Sequence, residues 1–139
     1  MEQNRRSFLK NSTVIAGAVC CGGVSLLTGC KSLETMPHTE QDRKIVIAKS
    51  DFGERQYALV KIESINDPIL LSKAQDESYH AVLMRCTHKN CDLKPIGRIL
   101  QCECHGSEFD QKGKVLEGPA TEPLRKFNVE EDDQNIYIC

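Results

Sequence analysis

Six residues able to bind metal or to form disulfides, Cys86, His88, Cys91, Cys102, Cys104 and His105, fall between positions 86 and 105 of a 139-residue chain. Few folds place that much ligand chemistry in so short a stretch. The chain also has little else to hold it together: Trp is absent, aromatics make up 5% and eight Cys are present. A small, core-poor chain rich in cysteine is usually stapled by metal or disulfides. Its length suits about one domain, which excludes a large enzyme with a separate substrate domain. The formal net charge of −2 leaves no basic surplus for nucleic acid.

The N-terminus has to be set aside before the fold is read. Arg5-Arg6-Ser7-Phe8-Leu9-Lys10 is followed by an uncharged, Gly-containing stretch from Asn11 to Cys30. The hexapeptide resembles the twin-arginine signal, which exports proteins already folded. The stretch ends Leu26-Leu27-Thr28-Gly29-Cys30, which resembles a lipobox. That likeness implies removal of residues 1–29 and a diacylglycerol on the Cys30 sulfur. The alternative is an uncleaved anchor, since an uncharged run of this length can span a bilayer. Either reading places the remainder outside the cytoplasm, on a membrane surface facing the periplasm or the cell exterior.

Residues 31–43 are polar, contain one Pro and have no apolar period. With Cys30 they read as a lipidated tether. From residue 44 to 139, short runs rich in Val, Ile, Leu and Tyr alternate with turn residues. Strands are expected at 44–49, 56–63, 68–73, 79–85, 97–102, 114–117, 124–130 and 135–139. Spacing near ten residues predicts an antiparallel all-β domain. No phosphate-binding glycine loop, internal repeat or nucleophile–base pair is present.

The chemistry lies in two loops. Cys86-Thr87-His88-Lys89-Asn90-Cys91 and Cys102-Glu103-Cys104-His105-Gly106-Ser107 each offer a Cys and a His with a further Cys. Soft and borderline donors of this kind suit a metal. Structural zinc sites favour Cys-x₂₋₄-Cys hooks, which Cys86-x-His88 and Cys102-x-Cys104-His105 do not match. Zinc and an unmetallated disulfide pair remain the competing readings.

The spacing Cys86-x-His88…Cys102-x₂-His105 closely resembles the Rieske ligand pattern. The similarity continues through Gly106-Ser107-x-Phe109-Asp110, Gly113-Lys114-Val115 and Gly118-Pro119-Ala120, the last like the family's proline loop. The resemblance implies a Rieske-type antiparallel sandwich or barrel with a small cluster-binding subdomain of two ligand loops. It implies one [2Fe–2S] cluster, with Cys86 and Cys102 on the inner iron and His88 and His105 on the outer. Cys91 and Cys104 stand where the family has its loop-bridging disulfide. Ser107 keeps a hydroxyl that the family directs at cluster sulfur, whereas Phe109 stands where quinol-oxidising members carry Tyr. Glu103 replaces the usual Pro and adds negative charge. Both departures point to a potential below that of quinol oxidisers.

The function so implied is one-electron transfer, as a carrier or small subunit serving a cytochrome or a larger oxidoreductase rather than an enzyme acting alone. The alternatives are the quinol-oxidising subunit of a cytochrome bc-type complex and a zinc- or disulfide-stabilised interaction module with no redox role. His80 reads as structural, His38 as part of the tether and Asp132-Asp133 as a solvated turn. Cys139 is an odd cysteine without an assigned role.

Overall fold

The computed structural model describes residues 35–139. The twin-arginine motif, the lipobox at Cys30 and residues 31–34 lie outside the described residues. In chain order the elements are β1 (Thr39–Gln41), β2 (Lys44–Ala48), a single helical turn α1 (Lys49–Phe52), β3 (Tyr57–Val60), β4 (Ile69–Lys73) and β5 (Tyr79–Leu83). Then follow β6 (Leu93–Ile96), β7 (Ile99–Cys102), β8 (Glu108–Asp110), β9 (Val115–Glu117), β10 (Lys126–Phe127), β11 (Val129–Glu131) and β12 (Asn135–Ile138). The domain is all-β, as expected.

The strands form three four-stranded antiparallel sheets, ordered β1-β2-β12-β11, β10-β5-β4-β3 and β6-β7-β8-β9. The pattern of each strand says which layer it serves. In β2, β3 and β12 buried residues alternate with half-buried ones, as in strands with one face on a core. In β4 the run Ile69–Ser72 is buried throughout, because this strand has a core on each side. Ile69 and Leu71 join Ile45, Ile47, Phe52, Val60, Ile136 and Ile138 in one core. Leu70 points the other way, joining Val82, Met84, Leu93, Leu100, Phe109 and Leu124 in a second. The middle sheet thus carries the β6–β7–β8–β9 sheet on its second core.

The structure departs from the sequence expectations at four places. Part of the supposed tether is folded onto the domain. Met36 is buried and its N–H donates to Leu59 O at 2.7 Å. Thr39–Gln41 pairs with β2. All three residues of β1 are exposed, so its ladder leaves no apolar period to read. The expected strand at 124–130 is two strands: β10 pairs with β5 and β11 with β12, the chain changing sheets at Asn128. The strands β6 and β8 were not expected. β6 carries Pro95, which its edge position tolerates, and β8 is three residues long. The helical turn α1 was also missed, being too short for a helical period.

Candidate metal centre

The two Cys-His segments are hairpin loops that close in the same way. In the first, Cys86 N–H donates to Cys91 O at 2.8 Å and Asn90 N–H to Cys86 O at 2.9 Å. In the second, Cys102 N–H donates to Ser107 O at 2.8 Å and Gly106 N–H to Cys102 O at 2.9 Å. Each loop turns through a left-handed residue at the same place, Asn90 at φ 56° and Gly106 at φ 78°. Gly adopts that conformation freely and Asn tolerates it better than most residues.

This closure puts a thiol at the base of each loop and an imidazole at its tip. Cys86 and Cys102 are free thiols, each only 1% exposed, within the second core. His88 and His105 meet edge to face, ring centroids 4.8 Å apart and planes at 87°. His105 is exposed and His88 half-buried. Cys91 and Cys104 are joined in a disulfide across the loops, with Cα atoms 6.5 Å apart. Cys102 Sγ lies within 4.8 Å of both disulfide sulfurs. Those two sulfurs are already bonded to each other, so the open thiol donors are Cys86 and Cys102.

One atom tests whether this arrangement suits a metal group. His88 Nδ1 is buried without a hydrogen-bond partner, alone in this respect among the side chains of the described residues. A buried polar atom left unpaired costs free energy, and native proteins rarely keep one. A buried, unpaired imidazole nitrogen whose ring meets a second imidazole, on loops that each start from a buried thiol, suits metal ligation. Among the described residues, three donor atoms gather within 4.8 Å of one another only at Cys91, Cys102 and Cys104.

Around the loops, Ser107 is fully buried and its Oγ accepts the Ala120 N–H at 3.0 Å. Its own proton stays free for a further acceptor. Thr87 Oγ1 donates to Glu122 O at 2.6 Å. The segment holding the exposed Pro119 is therefore tied to both loops. Phe109 is fully buried in β8, opposite Leu100 of β7 and Val115 of β9. Glu103 is ion-paired to Lys94 at 2.6 Å, both side chains 61% exposed, so its charge is partly compensated. The sequence alone assigns no role to Thr87, Lys94 or Ala120. Thr87 and Ala120 stand inside the quoted motifs, while Lys94 becomes visible only once β6 is placed. His80 lies on β5 with Nε2 3.2 Å from Ser78 Oγ, and burial first of all lowers its pKa. His38 is half-buried, its Nδ1 3.2 Å from Met36 O.

Residues 42–128, more than half of the chain, match the Rieske [2Fe–2S] domain. The chain belongs to the Rieske family. It is 33% identical over 88 residues to the cytochrome b6-f complex iron-sulfur subunit 2 of Trichormus variabilis, covering 62% of this chain and 43% of that one. It is 36% identical over 103 residues to the cytochrome b6-f complex iron-sulfur subunit of Synechococcus sp. (strain CC9605), covering 73% and 51%. The matched region is thus about half, or less, of these relatives' length. The plasma membrane Rieske protein PetC3 from Synechocystis PCC 6803 superposes with a TM-score of 0.57 at 25% identity, over 66% of this chain and 94% of that one. Naphthalene 1,2-dioxygenase shares the fold, with a TM-score of 0.52 at 23% identity over 60% and 22%. The cofactor of this Rieske domain is a [2Fe–2S] cluster, which sets aside the zinc and disulfide-only readings. Among the described residues no helix is long and apolar enough to cross a membrane.

Proposed function

We propose that Cys86 and Cys102 hold one iron of the cluster and His88 and His105 the other. On this reading the domain is a one-electron carrier for a larger redox partner on the outer face of a bacterial membrane. The observation that carries the reading is the edge-to-face pair His88–His105 with the unpartnered, buried His88 Nδ1. When bound, a cluster with two neutral imidazole ligands takes up one electron at about −150 to +300 mV, against about −400 mV for all-thiolate plant ferredoxins.

The chain's own residues set the terms of that exchange. The second core keeps water from Cys86 and Cys102. The exposed His105 gives a partner its closest approach. The Cys91–Cys104 bond holds together two loops that only the bases of their hairpins fix to a core. Ser107 supplies a hydroxyl proton inside the site. Export and membrane attachment are supported by Arg5-Arg6-Ser7-Phe8-Leu9-Lys10 and the lipobox at Cys30, and the partner would be a cytochrome or a larger oxidoreductase.

The relatives named as cytochrome b6-f subunits favour a second reading, the quinol-oxidising subunit of such a complex. Phe109 weighs against it, because it withholds a hydroxyl at the site. A reductive titration of the full chain, followed by electron paramagnetic resonance with iron and zinc analysis, tests both. A Rieske signal at an intermediate potential, below that of quinol oxidisers, is expected. A signal near the top of the range transfers the argument to quinol oxidation, and zinc without a signal ends the electron-transfer reading.

A further inference from the structure

The two ligand loops close alike, yet they stand on unequal stems. The residues flanking the second loop, Gln101 and Glu108, pair within the β7–β8 ladder, and Gln101 Nε2 donates to Glu108 Oε1 at 2.9 Å. The equivalent residues of the first loop are Arg85 and Asp92. They form an isolated bridge, because β5 and β6, on either side, belong to different sheets. The first loop sits where the chain crosses between layers, with only this single bridge beneath it, closed by Leu93 N–H donating to Met84 O at 3.3 Å.

The Arg85 side chain stands where the ladder is reduced to that one bridge. Its Nη1 donates to Asn90 O at 2.6 Å, the carbonyl of the loop's left-handed residue. Its Nε meets Asp67 Oδ2 at 3.0 Å. Asp92 Oδ1 is farther, at 3.6 Å from Nη1. Asp67 belongs to the β3–β4 connection and its side chain is 17% exposed, against 89% for Asp92. Asp67 is the anchor, since a shielded carboxylate interacts more strongly than one in water. The next residue, Pro68, accepts the Met84 N–H at 2.9 Å, which fixes the same connection to the strand leading into the loop.

We propose that Arg85, held by Asp67, is the positioning residue of the first ligand loop. It fastens the far end of the loop to the middle sheet and so sets where Cys86 and His88 stand. The role needs a guanidinium. Two of its nitrogens serve two acceptors at once from a rigid plane, which a Lys ammonium on a flexible stem does not reproduce. The inference rests on the reading that Cys86 and His88 are ligands.

The test compares the loaded full chain with Arg85→Gln, Arg85→Lys, Asp67→Asn, Asp67→Asn/Arg85→Gln and Gln101→Met. The readouts are the line width of the paramagnetic signal, the rate of cluster loss to a chelator and the melting temperature. Both Arg85 variants should broaden the signal and release the cluster about tenfold faster, the scale of a lost charge-assisted hydrogen bond. Asp67→Asn should move the same way by less, and it serves alone if Arg85→Gln does not fold. The double variant should release no faster than Arg85→Gln, because Asp67 acts through Arg85. Gln101→Met should keep the wild-type signal on its intact ladder.

Wild-type line width and release rate in Arg85→Gln, or in Asp67→Asn, overturn the proposal, whatever the melting temperature does. Full rescue by Arg85→Lys overturns it too, by showing that charge alone suffices. A wild-type chain with no Rieske signal takes down the ligand reading and this inference together, whereas a normal wild-type signal with unaffected variants removes only the inference.

Discussion

Ser107 Oγ accepts the backbone N–H of Ala120 at 3.0 Å, and both residues are buried. One hydroxyl therefore holds the proline segment while its own proton remains free to point at the site. Ser107→Ala removes both functions. The Ala120 amide, left buried without an acceptor, should cost ~1–3 kcal/mol of stability, a fall in melting temperature of several degrees. If the free proton serves a cluster sulfur, the midpoint potential should drop by about 60–130 mV, from ~1.5–3 kcal/mol at ~59 mV per ~1.4 kcal/mol for one electron. Melting curves and a potentiometric titration separate the two effects. A fall in stability at constant potential would assign Ser107 to the segment alone.

Phe109 offers the converse experiment. Its ring is fully buried in the core that also contains Cys86 and Cys102, so a hydroxyl added there must find a partner inside. Phe109→Tyr is expected to raise the potential by about 60–130 mV through a bond to sulfur. If none forms, the buried hydroxyl destabilises the domain and the potential stays put or falls, which defeats this account of a potential below that of quinol oxidisers.

Much of this was legible from the chain because the signals were local. The Cys and His spacings are set by loop closure over six residues. Strands such as β2 and β12 show the two-residue period that one buried face imposes. What escaped depended on partners distant in sequence. β1 is held by pairing with β2 and has no inward side chain to announce it. β6 was hidden by Pro95, acceptable only because its strand lies at an edge. Arg85 looked like the polar end of a strand, and its meaning comes from Asp67, eighteen residues earlier. The charge of Glu103 was visible, but its compensation by Lys94 depends on the β6–β7 register.

That pairing gives an electrostatic prediction. Glu103 within the second loop disfavours an added electron, and Lys94 offsets it. Lys94→Gln should lower the midpoint potential and Glu103→Gln should raise it. Both shifts should shrink at high ionic strength, because exposed charges are screened within a Debye length of about 8–10 Å at ordinary salt. Stability should scarcely change in either variant, as expected of a surface ion pair. Potentials unmoved at low salt would show that Glu103 does not act on the site.

His80 supplies a pH dependence outside the two Cys-His loops. Burial lowers its pKa below the ordinary 6.5, and the positive charges of Lys112 and Lys126 push the same way, against Asp76 and Asp110. The unfolded chain therefore binds the His80 proton more readily than the folded one, so stability must rise with pH across this titration. The contribution is complete above pH 6.5 and is lost as pH falls from there through the lower folded value. Denaturant midpoints measured between about pH 8 and 5 should fall more steeply in the wild type than in His80→Gln. Comparing the two removes whatever acid does to His88 and His105. Parallel curves would mean that His80 titrates alike in the folded and unfolded chains.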